Sequence, residues 1–224
     1  MPKIYVTRPL PFDISSALKA KGFDVFTNPE NRVLSKVELI AVLKEGNYDG
    51  VLCLLHDTID KDVFDAAPTV KIFSNYAVGY NNIDIEEAKS RGVMITNTPS
   101  DAVNESVAEH TFALILALST RLAEGDRFIR EGSYKGWDPN LLIGFDLKDK
   151  ILGLIGAGRI GSFVAQKASM GFGMKIAYYD IVRNEHIEKE YAAVRKDSVD
   201  ELLRDSHVVT LHTLLSPETI KREP

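Results

Sequence analysis

The chain has 224 residues, 45% of them hydrophobic and 26% charged, enough apolar material for a packed core, which excludes an intrinsically disordered chain. At roughly 150 residues per domain it holds about one and a half domains. Lys and Arg number 27 against 32 Asp and Glu, a net charge of −5, so no general attraction to nucleic acid or an anionic membrane is expected. The single cysteine, Cys53, cannot form an internal disulfide and fits a reducing cytosol. Charges and prolines interrupt Met1–Pro9 before any apolar signal core forms. The longest apolar run, Phe112–Leu118, is too short to span a bilayer. A soluble, cytoplasmic protein is expected.

The first hundred residues alternate short β-rich runs with helical patterns. Strands are expected over Lys3–Thr7, Phe23–Thr27, Gly50–Leu54, Lys71–Ser74 and Val93–Thr96. Helices are expected near Phe12–Lys21, Lys36–Glu45, Lys61–Ala67 and Ile85–Arg91. Ser35 and Glu38 form a Ser-x-x-Glu capping box at the start of the second helix. Gly22, Gly46 and Gly92 stand where left-handed C-caps are wanted. Strand and helix alternating in short steps mean a parallel sheet covered on both faces.

One long helical pattern follows over about Ser106–Glu131, with Val107, Phe112, Leu114, Ile115, Leu118 and Leu122 on its apolar face. His110 lies inside it, where packing is its expected role. A loop rich in Gly, Trp and Pro, Gly132–Gly144, reads as a bridge or a partner contact. A second series then begins. Ile151–Ile155 reads as a strand, Arg159–Gly171 as a helix, Lys175–Tyr179 as a strand, Asp197–Arg204 as a helix and Val208–Leu211 as a strand. No internal repeat or low-complexity segment interrupts it.

Gly156-Ala157-Gly158-Arg159-Ile160-Gly161 has the pattern G-x-G-x-x-G. Alone it is a weak signal, the alternative being a glycine-rich strand-helix turn that binds nothing. Its context is stronger: an apolar strand precedes it, a helical pattern follows, and Asp180 ends the next strand nineteen residues after Gly161. Gly156 permits the tight turn, Gly158 leaves room for a pyrophosphate, and Gly161 lets the helix pack on the strand. The helix start, with Arg159 and Ile160, offers free N–H groups to phosphate. Asp180 would accept hydrogen bonds from the adenosine ribose and repel a 2′-phosphate, favouring NAD over NADP, although Arg183 stands near enough in sequence to serve NADP.

With these residues the chain resembles the D-isomer-specific 2-hydroxyacid dehydrogenases, nearest the glyoxylate/hydroxypyruvate reductase branch, over essentially its whole length. Beside Gly156–Gly161 the resemblance rests on Ala77-Val78-Gly79-Tyr80-Asn81-Asn82-Ile83-Asp84, Thr96-Asn97-Thr98-Pro99, Ser106-Val107-Ala108-Glu109 and Glu124-Gly125-Asp126-Arg127-Phe128. It rests also on Gly136-Trp137, Gly144-Phe145-Asp146-Leu147, Leu211-His212-Thr213 and Ser216-Pro217-Glu218-Thr219. It implies an α/β fold: a flavodoxin-like substrate domain, of which residues 1–100 are the N-terminal part, and a doubly wound Rossmann NAD-binding domain, of which residues 101–224 are an incomplete copy. The active site would lie between two such domains. It implies that backbone N–H groups of Val78 and Gly79 help hold a substrate carboxylate, where the residues alone also fit a plain turn. It places Ser106, His212, Thr213 and Thr219 at the cofactor, where His212 alone reads more readily as structural. A small 2-oxo or 2-hydroxy acid, NAD, no metal, and a homodimer through the Glu124–Gly144 region complete what it implies. An exposed Trp137 beside Leu141, Leu142 and Ile143 would suit that dimer, and packing within the chain would suit it equally.

The sequence departs from the family pattern in places. Leu214 stands where proline is usual, Asp149 where glycine is usual, and His56 where Ser or Thr is frequent; His56 fits either a solvated loop or a substrate contact. The family's catalytic arginine, glutamate and histidine lie beyond the Ser-Pro-Glu-Thr motif, so no residue up to Pro224 takes those roles; His110, His186 and His207 match no motif. Ser216 and Pro217 announce a helix with few residues left to form it. The strand at His207–Leu211 would be the fourth of a sheet ordered 3-2-1-4-5-6, left with an apolar edge. A parent chain about 100 residues longer is therefore expected, with the 224 residues inactive alone. The alternatives are a non-catalytic NAD-binding or interaction protein of the same fold and a poorly folding pseudogene product.

Overall fold

The computed structural model describes residues 1–215 and 219. The chain forms two compact units, Met1–Ser100 and a second that begins at Asp101. Among the described residues no helix is long and apolar enough to cross a membrane.

In the first unit β1 (Lys3–Val6), α1 (Ile14–Lys19), β2 (Asp24–Thr27), α2 (Lys36–Gly46), β3 (Gly50–Cys53), α3 (Lys61–Ala66), β4 (Ile72–Asn75), α4 (Ile85–Ser90) and β5 (Met94–Thr96) alternate along the chain. The five strands are parallel in the order β2-β1-β3-β4-β5, the flavodoxin-like order. The helix starts are written locally. Asp13 and Asp84 accept the N–H groups of Ser16 and Glu87, and Ser35 with Glu38 makes both bonds of the capping box. Asp13 as cap moves the first helix start to Ile14. Tyr5, Val51 and Phe73 from the strands and Leu39, Val63 and Phe64 from the helices are buried in one core, each such side chain contributing about 1.5–3 kcal/mol.

One expected cap is corrected. Gly22 and Gly92 have positive φ, but Gly46 is the last residue of α2 and the left-handed cap is Asn47 at φ 48°. A Cβ at 46 would fall 2.0 Å from the ring of buried Tyr48 and would displace it.

The second unit contains α5 (Asp101–Ser119), α6 (Leu122–Arg130), β6 (Ile151–Ile155), α7 (Arg159–Gln166), β7 (Lys175–Tyr179), α8 (Glu185–Tyr191), β8 (Val194–Arg195), α9 (Val199–Asp205) and β9 (Val208–Leu211). Its four strands are parallel in the order β8-β7-β6-β9, the 3-2-1-4 half of a doubly wound sheet. Leu152, Leu154, Ile176 and Tyr178 from the sheet pack with Val164, Ile187, Phe112 and Ile115. Within the described residues β9 is an edge, and Val209 and Leu211 are 40% and 55% exposed.

The expected single helix over Ser106–Glu131 is two helices that start earlier and break. Arg121 takes φ 55°, and the Ser119 carbonyl accepts from Phe145 N–H at 2.9 Å. Gly144 makes that approach possible, since a Cβ there would lie 2.0 Å from the Ser119 oxygen. The expected helix over Arg159–Gly171 is α-helical only to Gln166 and closes in a π-helical turn, Lys167–Gly171. Helix α8 and strand β8 have no clear signal in the sequence; Ile187 is the one buried residue of α8, too little for an apolar stripe. The helix announced at Ser216-Pro217 lies outside the described residues.

Candidate functional site

Both sheets present loops at the carboxyl ends of their strands, where open α/β sheets bind ligands. In the second unit β6 runs into the turn 156–161. Gly156 has φ 93°, and a Cβ on it would meet the main chain of the neighbouring strand's exit, 2.5 Å from His212 O and 3.0 Å from Thr213 N. A Cβ on Gly161, in the first turn of α7, would lie 2.4 Å from Gly156 O. Gly158 differs: it is the N-cap of α7, and a Cβ there would meet nothing within 4 Å. Two glycines are thus demanded by backbone packing, and one faces open space at a helix N-terminus. This is the arrangement a pyrophosphate needs.

Asp180 reaches back to the same turn. Its Oδ2 accepts from Ala157 N–H at 2.7 Å and its Oδ1 from Val182 N–H at 3.0 Å. A carboxylate has about four acceptor directions, so a ribose hydroxyl can still be taken. His212 and Thr213 follow β9 and flank Gly156. The His212 ring shares a hydrogen bond of 2.9 Å with Thr210 Oγ1, and burial lowers its pKa, so it is neutral at pH 7. The structure therefore gathers Gly156, Gly158, Gly161, Asp180, His212 and Thr213, with Arg159 and Ile160 opening α7. It does not link Ser106 to them by hydrogen bonds: that hydroxyl donates within α5 to Ala102 O at 2.9 Å. Thr219 donates to Leu214 O at 2.7 Å.

In the first unit the loop after β4 is held from behind by side chains. Thr98 donates its N–H at 2.8 Å and its hydroxyl at 3.2 Å to Ala77 O. Asn97 Nδ2 donates to Val78 O at 2.7 Å, and Asn75 Nδ2 to Gly79 O at 2.9 Å. In a trans peptide the next N–H points opposite to the carbonyl. The N–H groups of Val78, Gly79 and Tyr80 therefore face away from these donors, and none has a hydrogen-bond acceptor among the described residues. Three consecutive free N–H groups suit an oxyanion.

Asn75 is 1% exposed and is locked in turn by Asn82, whose Nδ2 donates to Leu54 O at 3.1 Å and Asp57 O at 2.9 Å. Buried Asp57 accepts from Thr7 Oγ1 at 2.6 Å and Leu54 N–H at 2.8 Å. These asparagines are the residues that sequence reasoning missed. Their only local signal is the run Asn81-Asn82 and the Thr96-Asn97-Thr98 motif.

Several histidines and the cysteine are placed as well. His110 is exposed on α5 and not packed, correcting its expected role: it follows buried Ala108 by two positions and falls on the outer face. His56 is exposed in the turn after β3. His207 Nδ1 accepts from Ile151 N–H at 3.2 Å, and His186 packs edge-on against Tyr191. Burial, aided by Asp57, pushes the Cys53 thiol up to about 12, so it is no nucleophile at neutral pH. Among the described residues no group of His, Cys, Asp and Glu is placed to hold a metal ion.

Fold and loops together define an α/β protein with a dinucleotide-type turn in one unit and an anion-ready loop in the other. Residues 112–222 match the family described as D-isomer specific 2-hydroxyacid dehydrogenase, NAD binding domain. The glyoxylate reductase of Korarchaeum cryptofilum is 41% identical over 219 residues, 97% of this chain and 64% of the relative. The crystal structure of the TT0316 protein from Thermus thermophilus is similar with a TM-score of 0.87 and 36% identity, over 97% of this chain and 66% of that one. The D-lactate dehydrogenase of Aquifex aeolicus, solved with NAD and lactic acid, gives a TM-score of 0.80 and 30% identity over 97% and 62%. The chain belongs to the D-isomer specific 2-hydroxyacid dehydrogenase family. It spans 64% of the length of the Korarchaeum relative and 65% of a second glyoxylate reductase, that of Thermococcus kodakarensis.

Proposed function

We propose that the protein carrying this sequence is an NAD-dependent oxidoreductase that passes hydride between the cofactor and a small 2-oxo or 2-hydroxy acid, with glyoxylate or hydroxypyruvate as acceptor. The observation that carries this is the 156–161 turn, whose glycines leave a free helix start beside Asp180. NADH, when bound, supplies the hydride. Gly158, Arg159, Ile160 and Gly161 take the pyrophosphate on the N-terminus of α7, and Asp180 takes the ribose. Ser106, His212, Thr213 and Thr219 complete the cofactor's surroundings, with His212 neutral beside the turn.

The second unit is thus the cofactor domain and the first the substrate domain. The substrate carboxylate is held by the N–H groups of Val78 and Gly79, to which the pinned carbonyls add that of Tyr80. This leaves the 2-oxo carbon free to accept hydride in a fixed orientation. The relatives named glyoxylate reductase, 41% identical in the case of Korarchaeum, support the choice of acid. The arginine, glutamate and histidine that the family resemblance calls for match no residue among the 224, and these residues alone are expected to turn over no 2-oxo acid.

The same protein is proposed to pair with a second copy through the Glu124–Gly144 region. Trp137 is 83% exposed there, and Ile129, Tyr134 and Ile143 are also exposed. The buried free thiol of Cys53 suits the cytoplasm. The test is NADH oxidation by the protein as its gene encodes it, with glyoxylate and hydroxypyruvate. Turnover of either supports the proposal. NADH binding with no turnover of any small 2-oxo acid would leave a non-catalytic nucleotide-binding protein. Failure to bind NADH removes both. Sedimentation of the Trp137→Arg variant as a monomer, against a dimer for the parent, tests the pairing.

A further inference from the structure

The loop after β7 carries more than Asp180. Three residues on, Arg183 donates to both oxygens of Glu188, from Nη2 at 2.7 Å and from Nε at 3.0 and 3.2 Å. Glu188 is the fixed half of this pair. Its side chain is only 18% exposed, and its Oε1 accepts from the hydroxyl of fully buried Tyr178 at 2.7 Å. That hydroxyl also accepts from Asn184 N–H at 3.0 Å, and Asn184 Nδ2 donates to Ala157 O in the glycine turn at 2.6 Å. Arg183, in contrast, is 61% exposed. The carboxylate is anchored from the core, and the exposed cation is drawn to it. Hydrogen bonds from Arg183, then Tyr178, hold the Glu188 pKa below the usual range, so it is ionised at neutral pH. A second guanidinium, Arg195 on β8, donates to the main-chain carbonyl of Asp180 at 3.0 Å.

We propose that Glu188 sets which dinucleotide the site accepts: anchored by Tyr178, it occupies Arg183, the cation that would otherwise meet a 2′-phosphate, and leaves the charge of Asp180 to reject NADP. The inference rests on the dinucleotide site proposed above. An arginine near the ribose-binding acid is the group that accommodates a 2′-phosphate in this fold. A guanidinium already bound through Nε and Nη2, two of its three nitrogens, by a fixed carboxylate offers it less. Replacing Glu188 by Gln removes the competing charge while a side-chain oxygen remains for Tyr178.

The experiment is fluorescence titration of the full chain with NADH and with NADPH, for the parent, Glu188→Gln, Arg183→Ala and the double variant. The ratio of NADPH to NADH affinity is expected to rise about tenfold in Glu188→Gln, the order of one exposed charge-assisted contact. It is expected to move less than about twofold in Arg183→Ala alone, and to fall back when Arg183→Ala is added to Glu188→Gln. Tyr178→Phe, which frees the carboxylate and touches neither charge, is expected to shift the ratio in the same direction by a smaller factor. An unchanged ratio in Glu188→Gln, with NADH still bound, overturns the role of Glu188 alone. So does a gain that survives loss of Arg183. A parent chain that binds neither nucleotide overturns the dinucleotide site, and this inference with it.

Discussion

Past β6 the backbone is bared by leaving side chains out; past β4 it is bared by fastening side chains to the carbonyl side. In the second unit Gly156 and Gly161 let three backbone segments approach so closely that no Cβ fits, and Gly158 leaves the helix start uncovered. In the first unit Asn75, Asn97 and Thr98 hold three successive carbonyls and turn the N–H groups of residues 78–80 the other way. Both devices leave donors ready for an anion before the ligand arrives. The glycine device depends on what a position lacks and tolerates nothing added. The asparagine device depends on what distant residues supply and weakens by degrees.

That contrast is open to test. Gly156→Ala is expected to have the largest effect, about 3 kcal/mol or more in urea unfolding with NADH binding lost, because the residue sits at φ 93° against a main-chain oxygen. Gly158→Ala sharpens the point. It meets nothing in the fold, so stability is expected to change by no more than about 1 kcal/mol, while NADH affinity falls at least about tenfold as the methyl group takes the pyrophosphate's room. Equal stability losses in the two variants would break the distinction.

Asn75→Ala is expected to cost about 1–3 kcal/mol, the penalty for freeing buried partners. In the active protein it is expected to raise KM for the 2-oxo acid more than it lowers kcat, since the freed Gly79 carbonyl loosens the N–H groups. A fall in kcat with KM unmoved would contradict the role given to the loop.

His212 supplies a pH dependence. Its pKa is lowered by burial in the folded chain, so the unfolded chain binds a proton first as pH falls through about 6.5. The stability it contributes is fully present above that pH and is lost toward lower pH, through the folded value. Unfolding free energies at about pH 7.5 and pH 5.5 are expected to differ more for the parent than for His212→Asn. Asp149→Gly is the smallest change. Asp149 holds φ 62°, in the left-handed region that favours glycine, and relief of that conformation is expected to raise stability by less than about 1 kcal/mol in thermal unfolding.

The two devices were unequally legible in the sequence. The glycine turn is readable because its signal is local: three glycines, a strand before, a helix after and Asp180 at the next strand end. The strand order of both sheets follows from the alternation of short elements and the family resemblance. The asparagine device is not readable, because Asn97 acts on a carbonyl nineteen residues earlier, and asparagine in a loop ordinarily marks a turn. Nor is the break at Arg121, which has no glycine or proline to announce it and is set by Gly144 and Phe145 packing on Ser119. The start of α5 at Asp101 was hidden by a polar residue at its first buried position, Asn104. The Glu188 anchor lies on α8, the helix whose apolar pattern is too sparse to see.

The most direct test of two anion-ready backbones is amide NMR of the uniformly nitrogen-15-labelled chain, titrated first with NADH and then with glyoxylate. NADH is expected to shift the amides of residues 156–161 and Val182, and glyoxylate those of Val78, Gly79 and Tyr80. NADH that leaves the 156–161 amides unmoved, or glyoxylate that shifts amides elsewhere and not these three, would contradict that expectation.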